Sequence, residues 1–194
     1  MTQTIAIYGG SFNPPGNHHV HDVRLCSGMF AETRIVPCGP RKDKPTSGLI
    51  SEAHRQQMAD LAFRGIPRAT IVSDDLEAAL FTTTSGLIHL FQTSGFDPVI
   101  IVGSDLIRGG KRREAEIFRW YNGTTVWNKA RFGVIRIEGQ PFNWDDLPPL
   151  ATVIGTSKIA SSTEIRRRVA AGAPISDLVP PDVAAYIAQH NLYR

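Results

Sequence analysis

Six short apolar runs punctuate the chain, at Ile5–Tyr8, Arg34–Pro37, Ala69–Val72, Pro98–Val102, Phe132–Ile137 and Ala151–Ile154. They lack the apolar/polar alternation of a sheet with one wet face, so they predict strands buried on both faces of a parallel sheet. The segments between them place apolar side chains at helical spacing, as with Ala53, Met58, Leu61 and Ala62, or Ile117 and Trp120. Strands alternating with helices predict right-handed βαβ units and an α/β, doubly wound parallel sheet. Ligands of such a sheet sit beyond the carboxyl ends of the strands, near the point where the strand order reverses.

After Ile154 the strand pattern stops and two helices are predicted. Ser161 and Glu164 have the spacing of a capping box at the start of the first, and Gly172 suits its C-terminal cap. Pro180 and Pro181 open the second, whose apolar positions include Val183, Ala184, Tyr186 and Ile187. The expected organisation is one domain over 1–194, with a sheet core over 1–156 and a C-terminal helical lobe over 157–194. No repeat or low-complexity tract interrupts it.

Composition narrows the partners. The chain has 194 residues, 42% of them apolar, and a formal charge of only +3 with no lysine-rich block. Small anionic ligands therefore fit better than a nucleic acid. Cys26 and Cys38 form no metal-finger spacing and are expected as reduced thiols. With no leader pattern at MTQTIAIYGGS and no run long enough to span a bilayer, a cytoplasmic protein without membrane partners is expected.

Candidate chemistry begins directly after the first strand. Gly9 and Gly10 allow a turn whose amide N–H groups approach a phosphate, and Asn17, His18 and His19 lead into the first helix. A helix N-terminus offers unpaired N–H donors, and an imidazolium would add a charge-assisted one. The same residues would also serve a plain turn with solvated histidines. His18, His19 and His21 have only Asp22 nearby, so no dedicated metal site is expected.

The tract GGSFNPPGNHH resembles the GGSFDPxHxGH tract of nicotinate-mononucleotide adenylyltransferases and the GSFNPxTNMH form of the eukaryotic nicotinamide-mononucleotide enzymes. Further tracts resemble that family in order: CGPRKDKPTSGLISEAHRQQMADLA, VGSDL, ARFGVIRIEG, ASSTEIRRRV and the tail APISDLVPPDVAAYIAQHNLYR. The resemblance implies a Rossmann-like nucleotidylyltransferase that joins ATP to a pyridine mononucleotide, requires Mg2+ and releases pyrophosphate. It assigns phosphate binding to Gly9, Gly10, Ser11, Phe12, Gly16 and His18, and transition-state contact to His19. It places Ser162, Thr163 and the clamp Arg166 on the ATP side, where the C-terminal helices complete the site. Lys42 and Lys44 fall in its basic loop, with Lys44 matching the basic position that closes on phosphate. Gly103 and Asp105 fall at the nucleotide ribose. Arg136, Thr82 and Thr83 fall on the acceptor side, and His54 and Arg55 are read as structural.

Three departures from the family pattern stand out. Gly16 replaces a His or Thr, and His18 stands where Gly or Met is usual; the basic loop reads RKDK, with Asp43 for a histidine. Thr82–Thr84 and the run GGKRR occupy the places of the family's aromatic residues around the pyridine ring. Two other readings follow from these: a nucleotidylyltransferase for another phosphorylated acceptor, or a nucleotide-binding sensor with weakened catalysis. Oligomeric state is not legible.

Overall fold

The computed structural model describes residues 2–40, 49–158 and 161–194. Six parallel strands form one sheet in the order β3-β2-β1-β4-β5-β6: β1 (Gln3–Gly10), β2 (Glu32–Pro37), β3 (Ala69–Ile71), β4 (Phe96–Gly103), β5 (Arg131–Ile137) and β6 (Ala151–Ser157). This is the doubly wound order, with its reversal between β1 and β4. All six predicted runs are strands. Period-two alternation sends Ile5 and Ile7 to one face, with Ile100, Val102, Phe132 and Val134, and sends Ala6 and Tyr8 to the other, with Val99, Ile101 and Ile135.

Helices cover both faces, as the both-sided apolar strands require. Helices α1 (Asn17–Met29), α2 (Glu52–Phe63), α6 (Ser162–Ala170) and α7 (Pro181–Gln189) lie on the Ala6 side, contributing Val23, Met58, Ile165 and Val183 to its core. The short α3 (Asp74–Glu77) leads into α4 (Thr84–Thr93). On the Ile5 side, α4 and α5 (Gly123–Lys129) supply Phe91, Val126 and Trp127. The C-terminal helices thus share the core of the sheet.

The predicted caps at the C-terminal end are largely present. Ser161 Oγ accepts from the Glu164 amide at 3.2 Å, and Gly172 follows α6 at φ +66°, a left-handed conformation that favours glycine. The reciprocal half of the box is different, because the Glu164 carboxylate accepts from Arg167 and Arg168 instead. Arg168 also reaches Asp177 at 2.9 Å, so both arginines are engaged in ion pairs. The helical spacing of Ile117 and Trp120 proves to be a 3-10 turn over Glu116–Arg119, with α5 beginning only at Gly123. A side chain on Gly123 would stand 2.2 Å from the Ile117 carbonyl, so this connection is folded too tightly for one continuous helix.

Gly39, just after β2, marks another close approach. A Cβ there would lie 2.0 Å from the Leu80 carbonyl oxygen and 2.7 Å from its nitrogen. Backbone cannot yield as a flexible side chain does, so Gly39→Ala is expected to cost about 1–3 kcal/mol. Thermal unfolding should show a melting temperature lower by roughly 3–10 °C. An unchanged midpoint would contradict the packing.

Candidate functional site

The end of β1 turns through Gly10 to Phe12, whose backbone adopts φ +44°, a left-handed conformation unfavourable for a residue with a side chain. Packing holds it there. The Phe12 ring is 2% exposed and lies 5.8 Å from Tyr8, 5.1 Å from His19 and 5.2 Å from Phe63, centroid to centroid. From below, fully buried Arg55 donates through Nη1 to the carbonyls of Ser11 at 3.1 Å and Cys38 at 2.7 Å. One guanidinium therefore ties together the loops that leave β1 and β2, in accord with its structural reading.

From above, the C-terminal lobe fastens the same loop. Ser162 Oγ donates to the Pro14 carbonyl at 2.8 Å, and Arg166 Nη1 donates to the Asn13 carbonyl at 2.6 Å. Tyr193 donates its hydroxyl to Asn13 Oδ1. Arg166 Nη2 also donates to Thr163 Oγ1 at 3.0 Å. The heads of α1 and α6 are thereby brought against one loop. At α1, the Asn17 amide donates to the Leu178 carbonyl at 2.8 Å and its side chain to the Asp177 carbonyl at 3.1 Å.

His19 is held in a defined tautomer. Its Nδ1 accepts from the Gly16 amide at 2.9 Å, so in the neutral ring the proton sits on Nε2, which becomes the donor. This differs from the charged imidazolium anticipated above. The His18 and His19 rings lie close together, with centroids 3.8 Å apart and planes tilted by 38°. Burial holds the His18 imidazole down to about 4, so that ring is also neutral near pH 7.

The unfolded chain, with His18 near its ordinary value, binds more protons than the fold between about pH 6.5 and the lowered value. His18 therefore lowers stability as the pH falls through that window. Asp22, one turn further along α1 and accepting from the Tyr8 hydroxyl at 2.9 Å, is pushed the other way, its carboxyl raised chiefly by burial. It contributes the opposite sign at the acid end. The gap in melting temperature between wild type and His18→Gln isolates the histidine and should shift against wild type from pH 7 to pH 4; a constant gap would contradict this assignment.

Beside the Gly9–Phe12 turn, at the β1/β4 reversal, lies a cavity of about 720 Å3. Gly9, Gly10 and Ser11 line it from one side, the segment Phe81–Thr84 from another, and Glu116, Arg119, Trp120 and Tyr121 from a third. Asp75 orders the Thr82 segment, accepting from the Thr82 amide and its hydroxyl, each at 2.6 Å. A mostly apolar recess with a few convergent polar groups at this point of the sheet is the expected seat of a small ligand.

Not every predicted residue converges there. Arg136 ends β5 outside the cavity lining, with its guanidinium 5.0 Å from the Phe142 ring centroid. GGKRR is also remote from the lining: Lys111 pairs with Asp145 at 2.7 Å and Arg112 with Glu114 at 2.8 Å. The aromatic rings at the cavity come instead from Phe81, Trp120 and Tyr121, which sequence reasoning had not assigned to it. Asp105 folds back over the end of β4, where a Cβ on Gly103 would stand 2.4 Å from its Oδ1. Lys42 and Lys44 lie outside the described residues.

Among the described residues no group of three or more His, Cys, Asp or Glu side chains could hold a metal ion, and no helix is long and apolar enough to cross a membrane.

Comparison with known proteins agrees with this architecture. The model of the cytidylyltransferase-like family matches residues 7–168. A protein of Chlorobaculum parvum, named as a probable nicotinate-nucleotide adenylyltransferase, is 31% identical, with 97% of each chain covered. A protein of Kineococcus radiotolerans under the same name is 30% identical over 95% of this chain and 88% of its own. Among solved structures, the nicotinic acid mononucleotide adenylyltransferase of Plasmodium falciparum complexed with NaAD superposes with a TM-score of 0.80 at 25% identity, covering 98% of this chain and 97% of its own. With a family match over most of its length and relatives at this identity, the chain belongs to the cytidylyltransferase-like nucleotidyltransferases and, within them, to the nicotinate-nucleotide adenylyltransferase family.

Proposed function

We propose that the protein transfers the adenylyl group of ATP to nicotinate mononucleotide, forming deamido-NAD and releasing pyrophosphate. The observation that carries this reading is the junction of two half-sites. The heads of α1 and α6 meet at Asn13 and Pro14 of the loop that follows β1, and Gly9–Ser11, just before them, line a cavity bearing the rings of Phe81, Trp120 and Tyr121. A ligand with a flat ring and a phosphate, placed beside a triphosphate, fits that junction.

In the reaction a phosphate oxygen of the mononucleotide attacks the α-phosphorus of ATP in line. The new O–P bond forms as the bond to the β-phosphate oxygen breaks, and pyrophosphate leaves with the electron pair. No side-chain nucleophile is required, so positioning and charge stabilisation are the protein's work. His19 Nε2–H, the amides at the two helix heads and the remaining Arg166 donors would meet the oxygens on which charge accumulates. Trp120 would stack on the pyridine ring, Thr82 and Thr83 would offer polar contacts, and Asp105 would accept from a ribose hydroxyl. Mg2+ would enter on the triphosphate oxygens, neutralising charge there, because the described residues offer no carboxylate cluster of their own.

The test incubates pure protein with ATP, Mg2+ and one acceptor at a time: nicotinate mononucleotide, nicotinamide mononucleotide or a non-aromatic phosphate ester. Pyrophosphate release should be fastest with nicotinate mononucleotide, the substrate for which the similar proteins are named. Turnover confined to the non-aromatic ester, or none with any acceptor, would refute the reading.

A further inference from the structure

We propose that Gly16 and His18 work as one unit, with the His18 ring filling the space of an absent residue-16 side chain and presenting Nε2 to a phosphate oxygen beside His19. This deepens the proposed function and rests on it. The geometry is specific. A Cβ on Gly16 would stand 2.7 Å from His18 Nδ1, 2.8 Å from its Cε1 and 3.0 Å from the Leu178 carbonyl. The ring therefore lies over Gly16, in the volume that a side chain from the head of α1 would claim.

Three further observations give the ring a purpose beyond filling. His18 Nδ1 is buried without a hydrogen-bond partner and lies against Gly16, so in the proposal Nε2 is the ring nitrogen left to meet a ligand. Its ring centroid lies 3.8 Å from that of His19, with the planes tilted by 38°, so the two rings are held side by side although neighbouring helical positions diverge by about a hundred degrees. The helix head beneath them is fixed by the bonds from Asn17 to Leu178 and Asp177. Desolvation keeps the His18 ring neutral in the empty cleft, so it stands beside His19 without charge repulsion until an anion arrives.

The test is a mutant cycle read in two ways: kcat with ATP and nicotinate mononucleotide, and binding of inorganic tripolyphosphate by calorimetry. His18→Ala should lower kcat and weaken tripolyphosphate binding by about 10- to 100-fold, the scale of one hydrogen bond to a charged group. Gly16→Ala should do the same by displacing the ring, yet add little on top of His18→Ala. The exchanged pair Gly16→His with His18→Gly should regain at least tenfold of the loss, because emptying position 18 opens the space. His18→Gln, similar in bulk and still a donor, should keep most tripolyphosphate binding and provides the comparison if His18→Ala unfolds.

Tripolyphosphate binding within twofold of wild type in His18→Ala, or additive losses in the cycle, would overturn the proposal. If wild type shows no turnover while tripolyphosphate binding follows the cycle, the adenylyltransferase reading fails and the Gly16–His18 unit stands.

Discussion

His19→Ala is expected to lower kcat by about 10²–10³-fold while leaving the protein folded, the magnitude found when one preorganised donor is removed from a developing negative charge. The reason lies in how the ring is held. The Gly16 amide fixes Nδ1, and Phe12 and Tyr8 meet the ring edge at centroid distances of 5.1 and 6.3 Å. The Nε2–H donor therefore needs no reorganisation as charge moves onto the phosphate oxygens. Because this contact strengthens in the transition state, KM for ATP should change much less than kcat. His19 is only partly buried, so the melting temperature should fall by no more than a few degrees. Turnover within threefold of wild type would remove His19 from the reaction.

The second large effect belongs to the acceptor. Trp120→Ala should raise KM for nicotinate mononucleotide by about 30-fold, the equivalent of about 2 kcal/mol for an aromatic anchor in a partly desolvated recess. KM for ATP should stay within about twofold, since the ring lines the cavity rather than the cleft at α1 and α6. Trp120→Phe keeps a stacking surface and should retain most of the affinity. Steady-state kinetics with each substrate varied in turn separates these outcomes. An equal rise in both KM values would mean that the substitution disturbs the shared loop instead of a ring contact.

The sheet was legible because parallel strands buried on both faces are continuous apolar runs, and all six stand where that pattern places them. The helix ends were legible where a local residue carries the signal, as with Ser161 and Gly172. The turn that ends β1 was readable from Gly9 and Gly10, because such a turn depends on neighbours in sequence. The aromatic wall of the cavity was not, because Trp120 reaches it through a connection of tight turns pinned at a distance. Asp146 accepts there from the amides of Gly109 and Lys111, each at 3.0 Å, and no periodicity reports such a contact. For the same reason the residue count from the end of β4 led to GGKRR, which has no ring, and not to Trp120. Gly16 looked in sequence like the loss of a functional side chain, with the nearby His18 as its candidate substitute. Only the folded chain shows the His18 ring lying over it.

Arg136 illustrates the converse. Its place at the end of β5 suggested the acceptor side, whereas the chain beyond β5 brings Phe142 under its guanidinium, outside the cavity lining. A strand end specifies which edge of the sheet a residue occupies, while the ligand half it serves depends on the loop that follows.

Adenylyl transfer across the α1 and α6 helix heads and the aromatic cavity can be followed with labelled phosphorus. With nicotinate mononucleotide and Mg2+, label from the α-position of ATP should appear in deamido-NAD, and label from the γ-position should appear only in pyrophosphate. Recovery of the α-label in AMP or ADP, with no labelled dinucleotide, would contradict the account.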